Sequence, residues 1–177
     1  WTRRRNHAQS PRGRATGFPT VLVMARRMRF AEVFEAGDAW LADCSAHPDL
    51  VREAWGMEAL APIASGRRWL AAQMPLLTAM QVLPRLREED RGPVLADPGV
   101  DKAWWLVPLA AADELADLRT VFVRAPGWPL ACPPTGWQAC GRLWLSRPDG
   151  SGRLTDPVLL GAALGPGGSR LSTEASR

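Results

Sequence analysis

The stretch from Gly92 to Leu109 constrains this chain more than any other. It reads Gly-Pro-Val-Leu-Ala-Asp-Pro-Gly-Val-Asp-Lys-Ala-Trp-Trp-Leu-Val-Pro-Leu, with two short apolar runs, Val94 to Ala96 and Ala103 to Val107, on either side of Pro98-Gly99. Proline presets φ near about −65° and glycine tolerates positive φ, so the pair predicts a tight turn. The flanking runs predict the two buried strands of a hairpin. Helical patterns dominate before it and strand patterns after it, which makes the hairpin the expected centre of the core. It names no reaction.

The periodicity on both sides fills in the rest. From Phe30 the apolar residues 30, 33, 34, 40, 41 and 44 recur at helical spacing, weakened only at Gly37 and Asp38, and predict a helix over 30–46. His47-Pro48-Asp49 ends it, and Leu50, Val51, Ala54 and Trp55 mark a short second helix. Ala59 to Ala64 is apolar around Pro62 and reads as an edge strand. Ser65-Gly66 turns, and Arg67 to Gln73 reads as the returning strand. Pro75 suits the first turn of a helix whose stripe is Leu76, Leu77, Met80, Leu83 and Leu86, kinked at Pro84.

After the hairpin, Ala111 to Leu118 predicts a short helix with Leu115 and Leu118 inward. Thr120 to Arg124, Trp128 to Cys132 and Arg142 to Ser146 predict strands, and Pro148-Asp149-Gly150 a turn. Asp156-Pro157 supplies an N-cap and first-turn pair for a last helix through Leu164, with Gly165 at its C-cap. The order is that of a single α+β domain, with helices packed on a mixed or mostly antiparallel sheet.

Charge divides the chain. Residues 1–31 hold eight of its 22 basic residues and none of its 18 acidic ones, so residues 32–177 carry a net −4. Residues 1–27 are rich in Arg, Pro, Gly, Ser and Thr and are expected to form a disordered basic leader, the domain to run from 28 to 164, and 165–177 to be a disordered tail. Met28-Arg29-Phe30 is an alternative start, since ordered periodicity begins there. An acidic domain counts against tight DNA binding, where affinity comes mainly from phosphate neutralisation. Nine tryptophans, no tyrosine, and one each of Ile, Lys and Asn fit a GC-rich genome better than they fit any function. No apolar run approaches the ~18 residues needed to cross a bilayer, so no membrane partner is expected. Three cysteines without CxxC spacing suggest a reduced, cytoplasmic setting.

Several constellations have the residue types for chemistry, and each has a plainer role beside it. Asp43, Cys44 and His47 offer a ligand pair or an activated thiol, or a buried cysteine and a capping histidine. Cys132 and Cys140 flank Pro-Pro-Thr-Gly and are placed either to pair or to pack separately. The four glycines of Gly161 to Gly168 match neither phosphate-binding fingerprint. Asp97 and Asp101 flank the central turn and are the candidates for a two-carboxylate Mg²⁺ or Mn²⁺ site, or for Asx hydrogen bonds within the turn. Asp149 and Asp156 read as a turn residue and a cap. Arg67, Arg68, Trp69 and Trp105 are the candidates for a ligand-binding face. With Trp104, Trp128, Trp137 and Trp144 in the strand-rich half, they would stack bases as single-strand binders do, or else fill the core.

Ser65-Gly66-Arg67-Arg68-Trp69, Gly92-Pro93-Val94-Leu95-Ala96-Asp97, Trp105-Leu106-Val107-Pro108 and Cys132-Pro133-Pro134-Thr135 together carry a resemblance, completed by Arg147-Pro148-Asp149-Gly150-Ser151-Gly152-Arg153-Leu154-Thr155-Asp156-Pro157. Over Ala59 to Leu164 the chain resembles actinobacterial proteins described as bifunctional DNA primase/polymerase N-terminal-domain-like. The resemblance implies an α+β fold related to the primase catalytic core. The broader class uses an Asp-x-Asp or Asp-x-Glu pair on a strand and a downstream histidine, and this chain has neither within a predicted core strand or after His47. No catalytic residue is carried over and no cofactor is expected. The expectation is an inert accessory module binding nucleic acid or nucleotide. The alternatives are an active metal-dependent nucleotidyltransferase and a regulatory domain that docks a protein.

Overall fold

The computed structural model of the chain describes residues 18–165. It is an α+β domain in which every strand pairing is antiparallel. The hairpin predicted at 92–109 lies at its centre. Strands β3 (Val94–Asp97) and β4 (Lys102–Val107) pair with Asp97 opposite Lys102. Around them, β2 (Leu70–Pro75), β5 (Phe122–Val123) and β7 (Leu143–Ser146) complete a five-stranded sheet in the order β5-β2-β4-β3-β7. The turn within the hairpin differs from expectation. Residues 98–100 form a single 3₁₀ turn, and the left-handed residue is Asp101, at φ 49°, not Gly99. Aspartate is among the side chains that tolerate this region.

Both faces of the sheet are covered, which explains why its central strands are apolar in almost every position. On one face Leu70, Ala72, Met74, Ala103, Trp105 and Val107 pack against α3 (Leu76–Val82), α4 (Ala111–Glu114) and α5 (Pro157–Leu164). On the other, Ala71, Leu95, Trp104, Leu106 and Trp144 pack against the end of α1 (Phe18–Asp43), α2 (Pro48–Gly56) and a two-stranded ribbon of β1 (Ala61–Ala64) and β6 (Pro129–Cys132). Among the described residues no helix is long and apolar enough to cross a membrane.

Four local expectations are corrected. First, β2 does not return alongside β1. Ala61 and Ile63 face Cys132 and Leu130 across the ribbon, while β2 is apolar on both faces and joins the main sheet. Second, α1 begins at Phe18, inside the stretch expected to lack structure. No Pro or Gly intervenes between Pro19 and Gly37, and proline is tolerated in a first helical turn. Residues 1–17 and 166–177, the rest of the expected leader and tail, lie outside the described residues. Third, Leu77 and Met80 are exposed, and α3 buries Ala79 and Val82 instead. Pro84 lacks the N–H that Met80 would need four residues on, so the chain tightens into a 3₁₀ turn at Leu83–Arg85. Fourth, α4 stops at Glu114 and the chain goes on in tighter turns, Leu118 N bonding Leu115 O at 3.1 Å and Val121 N bonding Leu118 O at 3.0 Å.

Two expectations about caps hold. Asp156 Oδ1 accepts from the amides of Val158 and Leu159, at 2.8 and 3.2 Å, and Pro157 occupies the first turn of α5. Gly165 is the C-cap, although in extended conformation.

Gly37 explains itself through packing. The Pro148–Gly150 turn docks directly on α1 there, and a Cβ at Gly37 would collide with the Pro148 carbonyl oxygen. Gly150, at φ +85°, approaches from the other side, where a Cβ would lie 2.7 Å from that of Ala36. Thr135 closes the contact, its N donating to Asp38 Oδ1 at 2.7 Å and its hydroxyl to Phe34 O at 2.9 Å. Intrinsic propensity favours Gly37→Ala by about 1 kcal/mol. Overpacking against backbone costs about 1–3 kcal/mol. The expected outcome in urea denaturation is a lower midpoint for Gly37→Ala; a higher one would mean that helix propensity outweighs the docking.

Candidate functional site

The residues singled out from sequence do not form one site. Trp69 is buried in the core beneath the ribbon and Trp105 in the core beneath α3, α4 and α5, so the sheet itself separates them. Neither offers a face to a ligand. Arg67 and Arg68 are exposed, and Arg67 Nη1 donates to Ser45 O at 2.6 Å, tying the Ser65–Trp69 turn to the α1–α2 connection. The stacking platform expected from Arg67, Arg68, Trp69 and Trp105 is therefore not assembled. The physical reason is the period of two in a strand combined with burial of both sheet faces.

The two aspartates also separate. Asp97 Oδ1 accepts from Gly99 N at 3.1 Å, the Asx bond expected of a turn aspartate, and Asp97 Oδ2 accepts from Arg142 Nε at 3.0 Å in a largely buried ion pair. Both oxygens are engaged. Asp101 is exposed and left-handed, and it is one of the residues that line a cleft described below. Among the described residues no three His, Cys, Asp or Glu side chains are grouped to hold a metal ion.

The three cysteines are all free. Cys132 is buried and Cys140 exposed, so this pair is not bridged. Cys44 is buried, its Sγ donating to Trp40 O at 3.3 Å, while His47 is exposed at the N-cap of α2 and makes no capping bond through its side chain. Burial pushes the Cys44 thiol up, outweighing the Trp69 indole N–H and the Arg68 charge that favour the thiolate. Burial likewise holds Cys132 far above the ordinary thiol range, against the opposing charge of Arg142.

Sequence reasoning missed a cluster built on Gln73. The strand registers place Phe122, Gln73, Trp104, Leu95 and Trp144 in one row across the sheet. Gln73 Oε1 accepts from Arg124 Nη2 at 2.6 Å, from Arg124 Nε at 3.2 Å and from Trp104 Nε1 at 3.2 Å. The Arg124 guanidinium lies 4.9 Å from the Phe122 ring centre and 4.8 Å from that of Trp128. Trp128 in turn stacks on Trp104, 6.3 Å away and inclined by 30°. Arg142 covers Trp104 at 4.9 Å and donates to Ala131 O at 2.7 Å. Two cations and three aromatic rings thus clamp the ribbon onto the sheet. Among the described residues no carboxylate is ion-paired with Arg124.

Beside this cluster opens a cleft of about 280 Å³, walled by the end of β2 (73–75), the hairpin end (100–102) and the segment 119–122. Lys102 and Arg119 line it, and neither is ion-paired among the described residues. Asp101 and Thr120 add the acceptors, and Phe122 adds a ring that is 58% exposed. The cleft therefore combines unpaired positive charge with a largely exposed ring that Arg124 covers on one face. One signal for it was visible: Gln73 is a polar side chain in the apolar run Leu70 to Met74, and a half-buried amide needs partners.

No protein-family model, curated protein or solved structure matches the chain. The primase/polymerase resemblance thus gains no support from these comparisons.

The burial of the thiols has a direct consequence, since only the thiolate reacts. In the native protein near neutral pH a thiol reagent is expected to label Cys140 quickly and the other two slowly, with all three reacting after denaturation. Two rapidly labelled thiols in the native state would contradict the packing described. None at all would indicate that Cys140 is paired.

Proposed function

We propose that this domain is a catalytically inert binding module that takes a nucleotide, free or as one exposed unit of a single-stranded nucleic acid, in the cleft between β2, the hairpin end and residues 119–122. The observation that carries the reading is the cleft's composition. Lys102 and Arg119 supply charge for a phosphate, and Phe122 supplies a ring for a base to stack on. A volume of about 280 Å³ suits one nucleotide-sized ligand better than several. An accessory role on a primase/polymerase-like fold is consistent with this. Three unpaired cysteines accord with a reducing, cytoplasmic setting.

The nucleotidyltransferase alternative is disfavoured by the bonding of Asp97. A Mg²⁺ or Mn²⁺ ion would compete for Asp97 with the Arg142 guanidinium on one oxygen and the Gly99 amide on the other. A protein-docking role has one specific observation behind it, the exposed pair Leu77 and Met80 one helical turn apart on α3.

The test is a fluorescence-anisotropy titration of a short single-stranded oligonucleotide, repeated at rising salt, with the native protein and with the Lys102→Gln, Arg119→Gln double variant. Loss of two phosphate contacts is expected to weaken binding by about tenfold or more and to flatten the salt dependence. Binding that the double variant leaves unchanged would assign the contacts to other arginines, such as those of residues 1–31. Absence of binding at low salt would leave the protein-docking role of α3.

A further inference from the structure

The carboxamide of Gln73 has only one possible orientation. The groups surrounding its Oε1, the Arg124 guanidinium and the Trp104 indole, are donors only, so the atom they share must be the carbonyl oxygen. Flipping the amide would set donors against donors and break all three bonds. The other end, Nε2, carries its two N–H groups away from this knot. Among the described residues nothing accepts from it, yet it is not one of the buried unpaired atoms, so it remains in contact with solvent. Gln73 also lines the cleft, and it is the direct cross-strand partner of Phe122. Directly opposed residues share a sheet face about 5 Å apart, so the amide sits beside the ring on which a base would stack.

We propose that Gln73 is the specificity-determining residue of this cleft, presenting a fixed, donor-only edge that selects bases with a carbonyl edge (uracil, thymine or guanine) over the amino-edged cytosine and adenine; this rests on the nucleotide-binding reading above. A free glutamine serves either kind of base, because rotating the amide exchanges its donor for its acceptor. Here the acceptor is consumed by Arg124 and Trp104. An exocyclic amino group would meet Nε2 as donor against donor, leaving both unpaired. A carbonyl oxygen would accept from it. The charges at Lys102 and Arg119 treat all nucleotides alike, so discrimination falls to Gln73.

UMP and CMP carry the same phosphate and differ only along this edge. Isothermal titration of the full chain is expected to show UMP bound about tenfold more tightly than CMP, the scale of one good base-edge contact. Gln73→Glu keeps an oxygen for Arg124 and Trp104, so its melting temperature is expected to stay at or above that of the native protein. It turns the cleft-side group into an acceptor and should reverse the preference towards CMP. Arg124→Leu provides the second variant. With Arg124 gone only the Trp104 indole still holds Oε1, so the amide is fixed less firmly and the preference for UMP over CMP is expected to shrink below about tenfold. Equal binding of UMP and CMP by the native protein would overturn the inference while sparing the nucleotide site, as would a preference that neither variant alters. A native protein that binds neither would overturn the nucleotide site and this inference with it.

Discussion

A tryptophan buried in a sheet carries an N–H that has lost its water, and the layout of this domain depends on where those donors are satisfied. Trp55 donates to Cys132 O at 3.0 Å and Trp144 to Pro133 O at 3.2 Å, which fastens both α2 and β7 to the strand β6 and its exit. Trp104 has no such carbonyl and donates instead to Gln73. That requirement puts an amide into an otherwise apolar strand. The amide holds Arg124, and Arg124 holds Phe122 and Trp128. Trp69 and Trp105 are left without partners, Trp69 having only the weakly accepting Cys44 sulfur beside it.

The clamp also shapes the cleft. It fixes the two-residue edge strand β5, which by its length alone would be a weak addition to the sheet. By fixing β5 it places Phe122 and the preceding residues 119–121 as one wall of the cleft. The opposite wall comes from the hairpin, whose turn is set by Asp97 bonding Gly99 and by Asp101 in the left-handed region. Asp97 thus serves the site by shaping the turn and by holding Arg142 over Trp104.

Much of the fold was legible in the residues. The hairpin at 92–109 is local, with turn chemistry between two apolar runs, and the Asp156-Pro157 cap depends on neighbours in sequence. Elements went astray where the deciding partner was distant. Whether β1 pairs with β2 or with β6 depends on a core contact between Ile63 and Leu130, which no local pattern reveals. The start of α1 was obscured by composition, because residues 18–27 share their arginines with a stretch that reads as disordered. On α3, alternative apolar stripes were available, and tertiary packing chose Ala79 and Val82 over Leu77 and Met80. The site was less legible. Residue types suggested arginine beside tryptophan, and that reading landed on Trp69 and Trp105, whose faces depend on register. Arg124 and Gln73 meet across 51 positions, and only the pairing of β2 with β5 brings them together.

The central claim is that the cleft beside this clamp is where a ligand sits, and spectral mapping tests it most directly. In a titration of the nitrogen-15-labelled full chain with UMP, the account predicts shifts concentrated at the Gln73 side-chain amide, at Lys102 and over Arg119 to Phe122. The buried indole signals of Trp69 and Trp105 should barely move. Shifts confined to Arg67 and Arg68, or to the arginines before residue 31, would contradict it.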